Sequence, residues 1–184
     1  MGPLAYSLCQ KPVIGLGMFV SGLCAFPPLI PDTPLPLAVA APPVAVAFTV
    51  QVDKSYEFNL KFTPQGPQDL QRIGVVAGTH YEGAYCEGGV NYQDIPLARR
   101  EGLGLPIPIR VLIRHQPNGA VVADQTFVSL CRFAHGGADK AVLRKIGAVK
   151  LAPGDYRAEV SGTAPQPELA GIATSFVLVS GGRK

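Results

Sequence analysis

The side chains best equipped for chemistry crowd into one stretch, Thr63 to Leu105. Cys86 has His80 and Glu82 close by in sequence, the residue types of a thiol nucleophile and its base. Glu82, Glu87 and Asp94 supply the carboxylates that glycoside cleavage uses in pairs. Each pattern has a plainer explanation. Cys131 offers Cys86 a disulfide partner, and acids in a polar loop ordinarily keep a surface in water. The three histidines, His80, His115 and His135, fall in separate parts of the chain without metal-ligand spacing, so neither a metal nor a cofactor is expected. No Ser has Gly at both second flanking positions, and the phosphate-binding loop, His-Glu-x-x-His and Cys-x-x-Cys patterns are missing. These residues favour a protein that binds over an enzyme.

Composition sets the frame that must hold this stretch. With 184 residues, 47% of them hydrophobic and 16% charged, the chain has material for one folded domain with a core. Its 21 Gly and 18 Pro suit short strands joined by turns and argue against a helical bundle. A net charge of +3, spread rather than clustered, lacks the footprint of a dedicated nucleic-acid binder.

The N-terminus bears on the compartment. Val13 to Ala25 is an uncharged apolar block after Lys11, and Pro27 and Pro28 end any helix short of bilayer thickness. Residues 1–25 therefore read as a signal peptide or a membrane anchor, and residues 26–43 as a Pro/Ala-rich linker before a domain over 44–184. Cys24 invites a lipoprotein reading, although Leu23 is bulky where lipid attachment favours a small residue. If Cys9 and Cys24 belong to the targeting segment, Cys86 and Cys131 remain for the exported domain. In an oxidising compartment they read as one disulfide; two unrelated buried thiols are the alternative.

Periodicity supplies the elements. Val44, Val46, Phe48 and Val50 share one face, and so do Tyr56, Phe58, Leu60 and Phe62, which marks two half-buried strands. Ile107 to Arg114 alternates likewise, and Pro117-Asn118-Gly119 turns it into a partner over Ala120 to Val128. Lys140 to Leu151 mixes a short helical start with a strand at its end. Leu-x-Pro-Gly-x-Tyr at Leu151 to Tyr156 has the form of a tyrosine corner, in which a Tyr opening the penultimate strand folds its hydroxyl onto the preceding turn. Ile172 to Val179 makes the last strand, and Gln68 to Val75 a helix after Pro67. Seven or so strands without a βαβ rhythm predict an all-β, immunoglobulin-like antiparallel β-sandwich with a long irregular loop insertion. An open barrel is the runner-up. The predicted core includes Phe58, Leu60, Ile109, Val111, Tyr156, Val160 and Phe176.

Four motifs in this order resemble a family of proteobacterial exported proteins known only as a domain of unknown function. They are Ser-Tyr-x-Phe-x-Leu-x-Phe (Ser55 to Phe62), Pro-Ile-Pro-Ile (Pro106 to Ile109), Leu-x-Pro-Gly-x-Tyr-Arg (Leu151 to Arg157) and Pro-Glu-Leu-x-Gly-Ile (Pro167 to Ile172). The resemblance spans Val44 to Val179, implies a periplasmic location and brings no catalytic residues. By fold-level analogy, small exported β proteins of this kind suggest immunity proteins that inhibit type VI secretion effectors such as a lipase. The expectation is a non-catalytic periplasmic protein-binding module, attached or not to the membrane by its N-terminus. Its interface would be Tyr81, Tyr85, Tyr92, Asp94, Arg99 and Arg100, unless the tyrosines pack down on the sandwich. The second reading is a carrier or enzyme for envelope lipid or glycan.

Overall fold

A computed structural model describes residues 28–79, 85–86, 92–136 and 140–180. The proposed targeting segment, His80, Tyr81, Glu82 and Glu87 lie outside the described residues. In chain order the elements are β1 (Ile30–Pro34), β2 (Val44–Val50), β3 (Lys54–Thr63), α1 (Pro67–Ala77), β4 (Ile107–His115), β5 (Val121–Ser129), β6 (Arg132–Gly136), β7 (Ala141–Leu151), β8 (Gly154–Gly162) and β9 (Ala173–Ser180). They form an antiparallel sandwich of a five-stranded sheet, β1-β9-β3-β7-β6, and a four-stranded sheet, β2-β8-β4-β5. The core lies between the sheets, where the period-2 apolar faces meet. All seven predicted core residues are buried there, and Phe58 meets Phe176 with ring centroids 6.4 Å apart.

In an immunoglobulin domain the first strand pairs with the second and the last with the penultimate. Here, with the added edge strand β1 set aside, the terminal strands β2 and β9 have changed places. β9 lies beside β3, pairing from Tyr56↔Ser180 to Thr63↔Ala173, while β2 lies beside β8.

Two expectations need correction. The stretch read as a linker contains β1, which pairs with β9, and it buries Ile30, Leu35 and Leu37. Pro31 and Pro34 disguise the strand in the sequence, yet an edge strand tolerates them because one side of its backbone is unpaired. Lys140 to Leu151 has no helix: β7 is a strand throughout, paired with β3 on one side and β6 on the other. A bulge explains the blurred pattern. Phe58 opposes Gly147 and Asn59 opposes Lys145, which leaves Ile146 as an extra residue. Buried positions therefore run Val142, Arg144, Ile146 and then Gly147, Val149, Leu151, a change of phase that hides strand periodicity.

Helix α1 follows from local sequence, two residues longer than expected at its C-terminal end. Pro67 opens it, Asp69 accepts from the Gln65 N–H at 2.9 Å, and Ile73, Val76 and Ala77 turn inward. The chain breaks away at Gly78, whose φ of 73° suits glycine.

The tyrosine corner is present, with the Tyr156 hydroxyl donating to the Ala152 carbonyl at 2.9 Å. A second one stands in the other sheet, where the Tyr56 hydroxyl donates to the Val52 carbonyl at 2.7 Å. Each bond ties a strand to the carbonyl four residues earlier. Tyr56→Phe and Tyr156→Phe are each expected to lower the unfolding free energy by about 1 kcal/mol in urea melts. Burial, and secondarily Asp53, hold the Tyr156 phenol above its ordinary pKa of 10.0. The unfolded chain then loses that proton first. The tyrosine's contribution is intact below about pH 10 and falls as pH rises from there through the raised folded value. Tyr156→Phe should flatten that alkaline decline.

Candidate functional site

Between β3 and β4 the chain leaves the sandwich from Pro64 to Pro106, and this excursion holds most of the predicted site. Its base is tied down by Arg144 of β7, whose side chain is fully buried. Nη1 donates to the Val76 carbonyl at 2.9 Å, and Nη2 donates to the Leu105 carbonyl at 2.9 Å and to the Ser129 carbonyl. One guanidinium thus joins the end of α1, the approach to β4 and the end of β5. Burial lowers its pKa to about 9, and the three carbonyls solvate the charge it carries at neutral pH.

Above this clamp the excursion's two legs cross backbone to backbone. Thr79 N–H donates to Gly102 O at 2.8 Å, and Leu105 N–H to Val76 O at 2.8 Å. The crossing admits no side chain: a Cβ on Gly78 would lie 2.4 Å from Gly104 N, and one on Gly104 would lie 2.4 Å from Val76 O. Farther out, Cys86 and Cys131 form the expected disulfide, with Cα atoms 5.2 Å apart. The sulfur is thereby removed from the list of nucleophiles. Tyr85, Tyr92 and Leu103 pack with Ile95, Leu130 and Cys131 in a small apolar cluster separate from the main core.

The described members of the predicted interface divide into two sets. Tyr85 and Tyr92 are half-buried against that cluster, so they brace the excursion rather than stand out from it. Arg100 also turns inward. Its Nε donates to Ile95 O at 2.8 Å and its Nη2 to Gln93 O at 3.1 Å, while the guanidinium lies 4.8 Å from the Tyr92 ring centroid. Its Nε and Nη2 are engaged in shaping the loop, which leaves less of the guanidinium to steer a partner. Asp94 and Arg99 do face solvent. Between them stands Leu97, 79% exposed, which sequence reading passed over although Pro96-Leu97-Ala98 interrupts a polar run. Arg144 was also missed; its signal was a charge in phase with Val142 and Ile146.

A groove of about 620 Å³ runs along the β1–β9 side past Pro34, Leu37, Val39, Leu169 and Ile172. Its polar rim is occupied: Asp32 meets Lys61 at 2.7 Å and Ser175, and the Thr174 hydroxyl donates to Leu35 O at 2.6 Å. Among the described residues no cluster of three His, Cys, Asp or Glu has the geometry to hold a metal ion. What the excursion offers is a braced surface.

Two variants test the bracing. Arg144→Met removes the guanidinium's bonds to three carbonyls, of which Val76 O keeps the Leu105 N–H, and should cost on the order of 3 kcal/mol, with amide hydrogen exchange rising first at residues 103–105. Replacing both Cys86 and Cys131 by Ser releases a loop closed across 45 residues of sequence. The expected loss is about 4 kcal/mol by loop-closure entropy, read as a lower urea midpoint.

The family model for the domain of unknown function DUF5625 matches residues 32–180. No curated protein matches the chain. Among solved structures, a crystal structure of a protein from Sulfurospirillum deleyianum is similar in fold, with a TM-score of 0.63 at 19% identity, covering 86% of this chain and 100% of that one. The family match extends from the middle of β1 to the end of β9 and so takes in both sheets, the excursion and its clamp. On that match the chain belongs to the DUF5625 family.

Proposed function

We propose that the protein is a non-catalytic binding module of a proteobacterial envelope, exported to the periplasm, that holds a protein partner on the outer face of its excursion. One observation carries this reading: Arg100, Tyr85, Tyr92 and the disulfide all turn inward to fix the loop, while Leu97 stands exposed beside Asp94 and Arg99. A loop held this firmly loses little entropy on docking. Of the six exposed large hydrophobic residues among those described, Leu70, Val75 and Leu97 belong to the excursion. An apolar residue rimmed by charges is the usual build of an interface centre and its border.

Export is supported by the apolar block Val13 to Ala25 and by a disulfide that suits an oxidising compartment. Within this class the reading is an immunity protein that occludes the cleft of an antibacterial type VI effector such as a lipase, which requires steric fit and no chemistry. The carrier alternative would use the β1–β9 groove, where Asp32, Thr174 and Ser175 are already engaged internally.

The test is capture of partners by the full chain from its own cells, followed by Leu97→Asp and Arg99→Ala. Both positions are exposed, so the variants should melt like wild type. Leu97→Asp should weaken capture at least tenfold, and Arg99→Ala should slow association and reduce its salt dependence. Full retention of the partner by both folded variants would exclude this face. Co-purification of an envelope lipid or glycan with no captured protein would favour the groove.

A further inference from the structure

Four strands end the two sheets, and three of them carry features that keep other chains from pairing with them. β1 has five residues, including Pro31, Asp32 and Pro34, and a register shift against β9. β6 has five residues and a register shift against β7. β5 places Asp124 near its middle, bound by the Arg110 guanidinium through two contacts of 2.7 Å.

β2 has none of these features. Its seven residues, Val-Ala-Val-Ala-Phe-Thr-Val, include no charge and no Pro, and they pair with β8 without a shift from Val44↔Val160 to Val50↔Gly154. Among the described residues, the backbone groups of β2 on the side away from β8 have no hydrogen-bond partner. A row of alternating donors and acceptors at strand spacing is matched by another extended strand.

We propose that this strand is the β2 of a second copy, joining two four-stranded sheets into one sheet of eight about a twofold axis. The sequence complements itself. Antiparallel pairing centred on Ala47 sets Val46 against Phe48, Ala45 against Thr49 and Val44 against Val50. The exposed positions 45, 47 and 49 then share one face, and the core-facing positions share the other. No like charges oppose each other in this register, and a net charge of only +3 sets little repulsion between whole chains. A twofold axis uses the same patch on both protomers and closes after two, so the exposed edge ends in a dimer rather than a fibre. This inference is independent of the partner-binding face on the excursion.

Sedimentation velocity of the full chain at about 100 μM, a range that reveals micromolar association, should show the dimer. Ala47→Lys sets two positive charges face to face at the axis from a position that is exposed in the monomer. It should keep the wild-type circular dichroism and weaken association at least tenfold. Gln125→Lys, at an exposed position of the opposite edge strand, should leave the dimer intact. Ala47→Cys should crosslink to its own copy on oxidation, identified by peptide mass as a bond between the two residues at position 47. A monomeric wild type at that concentration, unchanged association of folded Ala47→Lys, or capture of a different protein's strand by a monomeric chain would each overturn the proposal.

Discussion

The excursion between β3 and β4 depends on one buried guanidinium. Among the described residues Arg144 has no carboxylate as a hydrogen-bond partner; it faces three backbone carbonyls from three separate segments. A carbonyl at the end of a helix or strand that is buried without a donor costs free energy. Arg144 supplies donors in a planar fork to three carbonyls at once, of which Val76 O also accepts from the Leu105 N–H, and lysine cannot reproduce that geometry. The cost is a desolvated charge and an Nε without a hydrogen-bond partner among the described residues. The result is a joint at which α1, β4 and β5 are held in fixed relation, and the glycine crossing and the disulfide cluster are built above it.

The exchange of terminal strands has a physical consequence at the sheet edges. By leaving the four-stranded sheet, β9 gives up the place beside β8 to β2, and β2 becomes an edge. By joining the five-stranded sheet, it offers β1 a partner and so turns a Pro-rich segment into structure. The bond from Leu35 N–H to the Thr174 carbonyl at 2.9 Å continues that pairing past the end of β1 and carries Leu35 and Leu37 into the core. The topology thus decides which strand is guarded and which is bare.

Rigidity and exposure are divided residue by residue in the excursion. Arg99 and Arg100 are neighbours of the same type, yet one faces water and the other bonds two carbonyls of its own loop. Tyr92 gives its ring to Arg100 and to the small cluster around Cys131. The surface left outside is small and mixed in character, with Leu97 at its middle. Such a surface fits recognition by contact. The pairing of Cys86 with Cys131 removes the thiol chemistry that the sequence alone leaves open.

How much of this was legible in the chain depends on whether the cause is local. Strands β2, β3, β4, β8 and β9, helix α1, the hairpin at Asn118-Gly119 and the corner at Tyr156 each follow from a few consecutive residues, because period-2 burial, a proline at a helix start and turn chemistry act over that range. The Cys86–Cys131 pairing was readable by counting. β1 was hidden by its prolines and β7 by the extra residue at its bulge, where the alternation changes phase. The exchange of terminal strands, the inward turn of Arg100 and the burial of Arg144 depend on carbonyls and strand edges brought up from distant parts of the chain. Sequence determined which residues prefer to be extended and which faces prefer to be dry. Only the tertiary structure decided which edges meet and which charges find buried acceptors, because a hydrogen bond between segments far apart in sequence leaves no periodic trace in either one.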